Sequence, residues 1–229
     1  LVKSGALKDL NEHFSLTYIC SDSVTLCLPN SYRVNFFNQR TALVKWTDYF
    51  LWHLTFVKLF RKNMGLKQGH KNYKITMFSR KLRFLLIVSS LPVIYEIAML
   101  FMEKLIVRYD KAIYNCLKKI NPEIVILPGG PFDPFGLDVI KCTKKLRIKS
   151  VMCVLNWDFF SNKGLLRAKP DIVCVWGQQM YEMVVGTNRT SREKVKIIGV
   201  PQYEIYRKKI SMSDARKHLG LPEDKKLWL

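Results

Sequence analysis

Two aspartates stand where a carboxylate could act as an acid or a base. Asp133 comes after the apolar run at residues 124–127 and its turn, and Asp158 comes after the apolar run at residues 150–155. If both runs are strands of one parallel sheet, the two side chains lie at its carboxyl edge, where open α/β sheets bind their ligands. A carboxylate in that position can deprotonate an attacking hydroxyl group. Asp158 and Asp133 are therefore the candidate catalytic residues.

Each aspartate also has a purely structural interpretation. Asp133 directly precedes Pro134, a combination typical of a helix N-cap followed by proline at the first helical position. Asp158 could cap a short helix in the same way, although an Asn-Trp-Asp run is an unusual choice for a cap alone. The sequence leaves both interpretations open for each residue.

Further candidates follow the ends of the same apolar runs. Glycines there permit a tight turn, and they also let a ligand approach the backbone closely. A lysine there could lie in a solvated turn or meet a phosphate or sugar oxygen. The candidate substrate-binding residues are Gly129, Gly130, Asn156, Trp157, Lys163 and Gly199. The histidines are scattered and no group has the spacing of metal ligands, so the sequence predicts no metal site.

The elements that would position these residues alternate along the chain from residue 122. Short runs rich in Val and Ile are separated by segments of helical character, which predicts a parallel sheet covered on both faces. The expected strands are residues 124–127, 150–155, 172–175 and 195–198, and the expected helices are 134–145, 178–185 and around 159–167. A helix at 6–14 with a strand at 16–20 continues the pattern upstream. The predicted fold is α/β, a Rossmann-like doubly wound parallel sheet.

Residues 41–108 interrupt this alternation and form an expected helical insertion. Between Asp48 and Glu96 there is no acidic residue, whereas lysine, arginine and aromatic residues are frequent. Cationic side chains attract anionic lipid headgroups, and tryptophan and tyrosine settle at the membrane interface. We therefore expect this region to lie on a membrane surface through Trp46, Trp52, Arg61, Lys62, Arg80 and Lys81. The alternative is a solvated basic face above a core helix.

The segment at residues 84–102 is nearly long enough and apolar enough to span a bilayer. Pro92 and Glu96 lie inside it, and it stands between the strands of one sheet. A spanning helix there would put the first strands and the later ones on opposite sides of the membrane. A buried or membrane-surface helical segment is therefore the expectation.

The net charge is the unusual feature of the composition. The chain has 38 Lys and Arg against 18 Asp and Glu, a net charge of +20, which favours anionic partners such as nucleic acid, a membrane face or phosphate-bearing substrates. Hydrophobic residues make up 48% of the chain, enough for a buried core. The cysteines show no CxxC pair, and Cys20, Cys153 and Cys174 lie in apolar runs, so a cytosolic compartment is expected.

Segments of the second half resemble, in order, those of GT-B-type glycosyltransferase-like proteins. This group is related to the non-hydrolysing UDP-N-acetylglucosamine 2-epimerases and the CDP-glycerol glycerophosphotransferases. The resemblance is carried by NWDFFSNKG at 156–164, PDIVCVWG at 170–177, KVKIIGVPQYE at 194–204 and ARKHLGLP at 215–222. Phe159 stands where the group has asparagine after Trp-Asp.

The resemblance implies a two-domain enzyme with its active site in the cleft between two Rossmann-like halves. Residues 1–205 would be the N-terminal, acceptor-side domain, with its insertion at about 41–108. Residues 206–229 would be the linker and the beginning of the donor-binding domain. Both ends of the sequence look cut, so the fragment is expected to be inactive alone and to bind nucleotide sugars poorly. Proteins of this type generally need no catalytic metal, and no cofactor is expected besides the nucleotide-sugar donor as substrate.

The implied function is transfer of a sugar or polyol phosphate from a nucleotide-activated donor to a membrane-linked or polysaccharide acceptor. The protein would be cytoplasmic and peripheral at the inner membrane face. Trp157 would flank the acceptor, and Asp158 or Asp133 would be the nearest carboxylate. Three alternatives stay open: nucleotide-sugar epimerisation in the same fold, nucleic-acid binding through the basic and aromatic region, and a non-catalytic scaffold, which the change at Phe159 allows.

Overall fold

The computed structural model describes residues 11–21, 31–34, 41–62, 80–129, 134–162, 165–200, 203, 211–222 and 225–226. The chain divides into two compact units, Thr17–Gly199 and a second made of Leu1–Leu16 with Val200–Leu229. Of the candidate residues, Gly130, Asp133 and Lys163 lie outside the described residues. Every other candidate belongs to the first unit.

The first unit contains two parallel sheets. Strands β1 (Tyr18–Ser21) and β2 (Ser31–Val34) form a pair, and a separate sheet has the order β3-β4-β5-β6, with all neighbours parallel. The strands of the larger sheet are β3 (Ile124–Pro128), β4 (Lys149–Cys153), β5 (Ile172–Val175) and β6 (Val195–Ile197). Sequential order with parallel pairing confirms the predicted α/β class and is compatible with a Rossmann-like arrangement.

Helices alternate with these strands as expected. They are α4 (Lys111–Ile120) before β3, α5 (Pro134–Leu146) before β4, the short α6 (Phe159–Asn162) before β5 and α7 (Gln178–Gly186) before β6. Asp110 caps α4, because its Oδ1 accepts hydrogen bonds from the N–H groups of Ala112 and Ile113 at 2.8 and 3.0 Å. In the second unit, Ser211 caps α8 (Met212–His218), because its hydroxyl oxygen accepts a hydrogen bond from the Asp214 N–H at 3.0 Å.

Two apolar clusters hold the larger sheet. One joins α4 and α5 to β3 through Ile113, Leu117, Leu127, Leu137 and Ile140. The other joins β4, β5 and β6 to α6 and α7 through Met152, Phe160, Val173, Val175, Val184 and Val195. Cys153 and Cys174 are register partners on β4 and β5. Neighbouring elements cover most side chains of β4 and β5, as is typical of inner strands of a parallel sheet. Strand β3 instead leaves Ile124 and Ile126 46% and 47% exposed, so the predicted covering of both faces does not extend to β3.

Residues 41–62 and 80–107, the described parts of this region, are largely helical. Helix α1 (Ala42–Lys62), helix α2 (Arg80–Ser89), helix α3 (Pro92–Phe101) and a π-helix (Met102–Val107) pack around a third apolar cluster. That cluster contains Phe50, Leu51, Leu54, Leu59, Leu86, Tyr95 and Val107, together with Leu165 from the chain that leads into β5. The helices therefore share a core residue with the segment that leads into β5.

The apolar segment at residues 84–102 is two helices rather than one. Helix α2 ends at Ser89, and α3 begins at Pro92, whose ring fixes its own φ and disfavours helical geometry in the residue before it. Leu91 accordingly has extended backbone, and the Ser90 hydroxyl donates to the carbonyl of Ile87 at 2.7 Å. Within the described part of the chain, no helix has both the length and the apolar character required to cross a membrane.

A buried network of ion pairs joins these helices to the sheet. Arg167, which leads into β5, lies with Nη2 2.7 Å from Asp48 Oδ1 of α1, and its Nε contacts Glu103 of the π-helix. The other Glu103 oxygen contacts Lys141 of α5, whose Nζ is 3.8 Å from Asp138. The Arg167 and Asp48 side chains are 7% and 6% exposed. Such charges are tolerated in a dry interior only because they neutralise one another.

Arg167→Met should lower the free energy of unfolding by about 3–5 kcal/mol, since it takes the guanidinium group from the buried carboxylate of Asp48 and removes one of the two cations that contact Glu103. Urea denaturation followed by circular dichroism measures this change. Arg192→Met is the matched control, because Arg192 is exposed in the turn before β6 and its removal should change stability by less than about 0.5 kcal/mol. Equal losses in the two variants would show that the network contributes nothing specific.

Candidate functional site

The described candidate residues of the sheet collect at one edge. Gly129 follows β3, Asn156–Asp158 follow β4, and Gly199 follows β6. Because all four strands are parallel, these positions lie at the carboxyl ends of the strands and therefore on the same side. This is the edge at which ligands bind in open α/β sheets.

Gly129 fixes the exit of the chain from β3. Its φ is +112°, a backbone conformation that residues with a Cβ rarely adopt, and its N–H donates to the Cys153 carbonyl at 2.8 Å. A Cβ added there would lie 4.0 Å from Leu155 Cδ1, so space alone does not require glycine. The backbone angle does.

The chain after β4 presents a polar and aromatic tip. Asn156 and Trp157 are exposed, with 72% of Trp157 accessible, and Asp158 is half-buried. Helix α6 begins at the next residue, and the Phe159 N–H donates to the Asn156 carbonyl at 3.4 Å. A large aromatic ring that contributes little to the core, beside a carboxylate, is the feature of this edge best suited to a ligand.

The side chain of Phe159 packs against the core. It is half-buried against the cluster that contains Phe160, which is fully buried. Its side chain therefore anchors the start of α6 to the β4–β5 region. This packing gives a physical reason for an apolar residue where the glycosyltransferase-like proteins have asparagine.

Trp176 joins the ends of β4 and β5. Its indole N–H donates to the Val154 carbonyl at 2.8 Å, and the Val154 N–H donates to the Cys174 carbonyl at 3.0 Å. The bonds extend the pairing of the two strands beyond β4 and hold the base of the Asn156–Asp158 tip. Trp176 is therefore a supporting residue.

Asp171 makes the corresponding connection at the opposite edge. Its Oδ2 accepts hydrogen bonds from the N–H and the hydroxyl of Ser150 at 2.9 and 2.8 Å. Burial by itself would raise the pKa of Asp171, but these hydrogen bonds and the charges of Lys194 and Lys144 hold the pKa below its usual value. The carboxylate thus fastens the start of β5 to the start of β4.

Gly199 marks the point at which the chain leaves β6. The Ile198 N–H still donates to the Val175 carbonyl at 2.9 Å, and Gly199 then takes a φ of +77°. No atom lies within 4 Å of a Cβ built there, so the left-handed backbone, not crowding, favours glycine.

The candidates for a membrane surface have different environments. Trp46 is 51% exposed and its ring stacks on Phe50 at 5.7 Å, and Lys81 is exposed. Trp52 is half-buried, with its ring 4.7 Å from that of His53 and 4.5 Å from that of Phe56, so it serves the packing of α1. Arg61, Lys62 and Arg80 lie in helices, but their side chains are outside the described part of the structure.

The sequence did not indicate a cavity of about 310 Å³ beside α3 and the π-helix. Its lining includes residues 165–167 and 169, which lead into β5, and residues 187–189, which lead towards β6. This part of the lining precedes the strands and is thus separate from the carboxyl edge. Of the described residues that line it, the basic ones are Lys58, Arg167, Lys169 and Arg189, and the acidic ones are Glu96 and Glu103.

Lys169 in this cavity lies near other positive charges. The Lys169 Nζ donates to the Arg189 carbonyl at 2.8 Å. Burial, together with the charges of Lys144 and Arg189, lowers the pKa of Lys169. Lys58 is buried, with its Nζ 4.3 Å from the centre of the Tyr95 ring. In the sequence, the arginine of Leu165-Leu166-Arg167 was the one signal of a buried ion pair in this region.

No family model, curated protein or solved structure matches this chain. Among the described residues, no three His, Cys, Asp or Glu side chains come together as a group that could hold a metal ion.

Gly129→Ala should lower the free energy of unfolding by about 1–3 kcal/mol, because alanine is strained at the φ that this turn requires. Gly186→Ala is the matched control, since Gly186 is helical and exposed with no atom near an added Cβ. It should be neutral or stabilising by up to about 1 kcal/mol. Chemical denaturation of both variants measures the difference, and equal effects would contradict the role assigned to Gly129.

Asp171→Asn should lower the free energy of unfolding by about 1 kcal/mol at pH 7, because the hydrogen bonds from Ser150 favour the charged carboxylate. The pKa of Asp171 is lowered on folding, so its stabilising contribution is present above the unfolded value of about 3.9 and is lost as pH falls through the folded pKa. Denaturation at pH 7, 5 and 3 should therefore show the gap to the wild type narrowing. A gap independent of pH would rule out this electrostatic origin.

Proposed function

We propose that this chain is the acceptor-side part of a glycosyltransferase-like enzyme. The enzyme transfers a sugar or polyol phosphate from a nucleotide-activated donor to a membrane-linked or polysaccharide acceptor. The observation that carries the proposal is the pairing of an exposed Trp157 with Asp158 at the carboxyl end of β4. The resemblance of residues 156–164, 170–177 and 194–204 to glycosyltransferase-like segments supports it.

In this proposal Asp158 is the general base. Its carboxylate takes the proton of the acceptor hydroxyl as the acceptor oxygen bonds to the transferred sugar carbon or phosphorus. The bond from that atom to the nucleotide phosphate breaks, and the nucleotide leaves with the electron pair. Asp133 is the second candidate for this role, and Lys163 is the cation proposed to face the departing phosphate.

Trp157 is proposed to position the acceptor. A flat aromatic ring offers an apolar surface to the carbon face of a sugar while leaving the hydroxyl groups to polar neighbours. Asn156, which is also exposed, supplies both a donor and an acceptor of hydrogen bonds beside it. Gly129 and Gly199 shape the turns on either side.

Several motif residues near this site have structural roles. Trp176 and Asp171 are engaged in hydrogen bonds that fasten β4 to β5, and Phe159 is engaged in packing. Of the motif side chains that the structure describes at the carboxyl edge, Asn156 and Trp157 are exposed and Asp158 is half-buried beside them. The net charge of +20 supports an anionic membrane face as the place where the acceptor is met.

Asp158→Asn in the intact protein should reduce turnover by about 10²–10⁴-fold, because a neutral amide cannot accept the proton. Its melting temperature should stay close to that of the wild type, since a lost helix cap costs only about 1 kcal/mol. Release of the donor nucleotide measures turnover, with Glu123→Gln, an exposed acid before β3, as the matched control. If Asp158→Asn melts early and its remaining folded fraction is fully active, Asp158 is structural.

A further inference from the structure

Helices α2 and α3, with the adjoining π-helix, carry a row of exposed large apolar side chains. Phe84 is 70% exposed, Val93 71% and Ile97 62%. We define the α2–α3 face as the exposed apolar residues Phe84, Leu85, Ile87, Leu91, Val93, Ile94, Ile97, Leu100, Phe101 and Leu105. Contiguous apolar surface of this kind on a folded domain marks a place of interaction.

Helix α3 is apolar on two opposite sides. Val93, Ile97 and Phe101 recur at intervals of four and share one exposed side. Tyr95 and Met99 point into the cluster shared with α1. Apart from the exposed Glu96, α3 is apolar on both its inner and its outer side. An apolar side of a helix is normally covered, so we expect the outer side of α3 to meet another apolar medium or molecule.

Cations flank the α2–α3 face at both ends. Helix α2 begins with Arg80-Lys81-Leu82-Arg83, of which Lys81 is exposed, and the exposed Arg108 follows the π-helix. The cavity described above also borders α3, because Glu96, Met99 and Leu100 of this helix line it. Leu100 belongs both to the cavity lining and to the α2–α3 face. An apolar strip with positive charge at its ends complements the interface of an anionic bilayer, where acyl chains lie beneath phosphate groups.

We propose that the α2–α3 face binds the surface of an anionic phospholipid bilayer. The apolar side chains lie among the upper acyl chains, at a depth of about 5–10 Å. Lys81 and Arg108 lie at the level of the phosphates. This surface deepens the membrane partner named in the proposed function, but its binding to lipid does not depend on the transfer chemistry.

A second copy of the chain fits this face less well than lipid does. The face is accompanied by the exposed cations Lys81 and Arg108, so that two paired copies would bring like charges into one interface. A bilayer instead supplies apolar and anionic groups at the two levels where the face presents apolar and cationic ones. The occupant assigned to the face is therefore lipid.

Cosedimentation of the 229-residue chain with vesicles tests the proposal. We expect binding to vesicles of equal phosphatidylglycerol and phosphatidylcholine, and weaker binding as ionic strength rises from about 0.05 to about 0.5 M, because exposed charges are then screened. The triple variant Val93→Ser, Ile97→Ser, Phe101→Ser should reduce partitioning by roughly a hundredfold through lost apolar burial. Lys81→Gln with Arg108→Gln should reduce it by roughly tenfold or more, on anionic vesicles only.

Two controls separate lipid binding from folding and from catalysis. Met212→Ser with Leu219→Ser removes apolar side chains that are 73% and 67% exposed in the other unit, and it should leave vesicle binding unchanged. Each variant should keep the circular dichroism spectrum and melting temperature of the wild type, since the altered side chains are exposed. Asp158→Asn should bind vesicles as the wild type does, so failure of the transfer proposal and failure of this one are distinguishable.

Several outcomes would overturn the proposal. They are no vesicle binding at low ionic strength, equal loss in the Met212 and Leu219 control, and equal binding to neutral vesicles at high salt. A dimer in sedimentation equilibrium that the triple variant abolishes, without vesicle binding, would assign the face to a second copy. Salt-sensitive binding to single-stranded RNA without vesicle binding would assign the region to nucleic acid.

Discussion

The ion pairs of Arg167 are the interaction on which the arrangement of the first unit depends. One guanidinium group contacts Asp48 of α1 and Glu103 of the π-helix, and Glu103 in turn contacts Lys141 of α5. Three separate parts of the chain are thereby held to the segment that leads into β5. Because the side chains are largely removed from water, any rearrangement of the helices that separated one pair would strand a buried charge. The orientation of α3, and with it both the apolar face and the cavity, follows from this constraint.

The sequence predicted what depends on local patterns. Runs such as Ile172–Val175 could be recognised as strands because both faces are covered. Pro92 argued against one spanning helix at residues 84–102. The partners of Arg167 could not be predicted, because they lie 64 and 119 positions away and meet only through tertiary packing. The exposed side of α3 could not be predicted either, since periodicity cannot tell the inner side of a helix from the outer one when both are apolar. Trp52 was expected at a membrane surface because of its residue type, and in the structure it is half-buried and packs against His53 and Phe56.

The candidate site divides in the same way. Alternation of strands and helices was enough to place Gly129, Asn156–Asp158 and Gly199 at one edge. It could not separate residues that touch a ligand from those that fasten strands, because Trp176 and Asp171 are as suited to chemistry by type as Trp157 and Asp158. The hydrogen bonds of Trp176 to Val154 and of Asp171 to Ser150 show that these two residues fasten strands. The cavity needed the fold as well, since its cations come from α1, from the approach to β5 and from the approach to β6.

The register that places Cys153 opposite Cys174 has a consequence for the reactivity of the chain. Burial raises the pKa of Cys153 to about 11, and that of Cys142, inside α5, to about 12. At neutral pH the thiolate fraction of Cys153 is then on the order of 10⁻⁴, and thiolates are the species that oxidants and alkylating reagents attack. Cys153 is half-buried and Cys142 is buried, so both thiols should react slowly with such reagents while the protein is folded. Labelling faster than the thiolate fraction allows would report local opening around α5 or between β4 and β5.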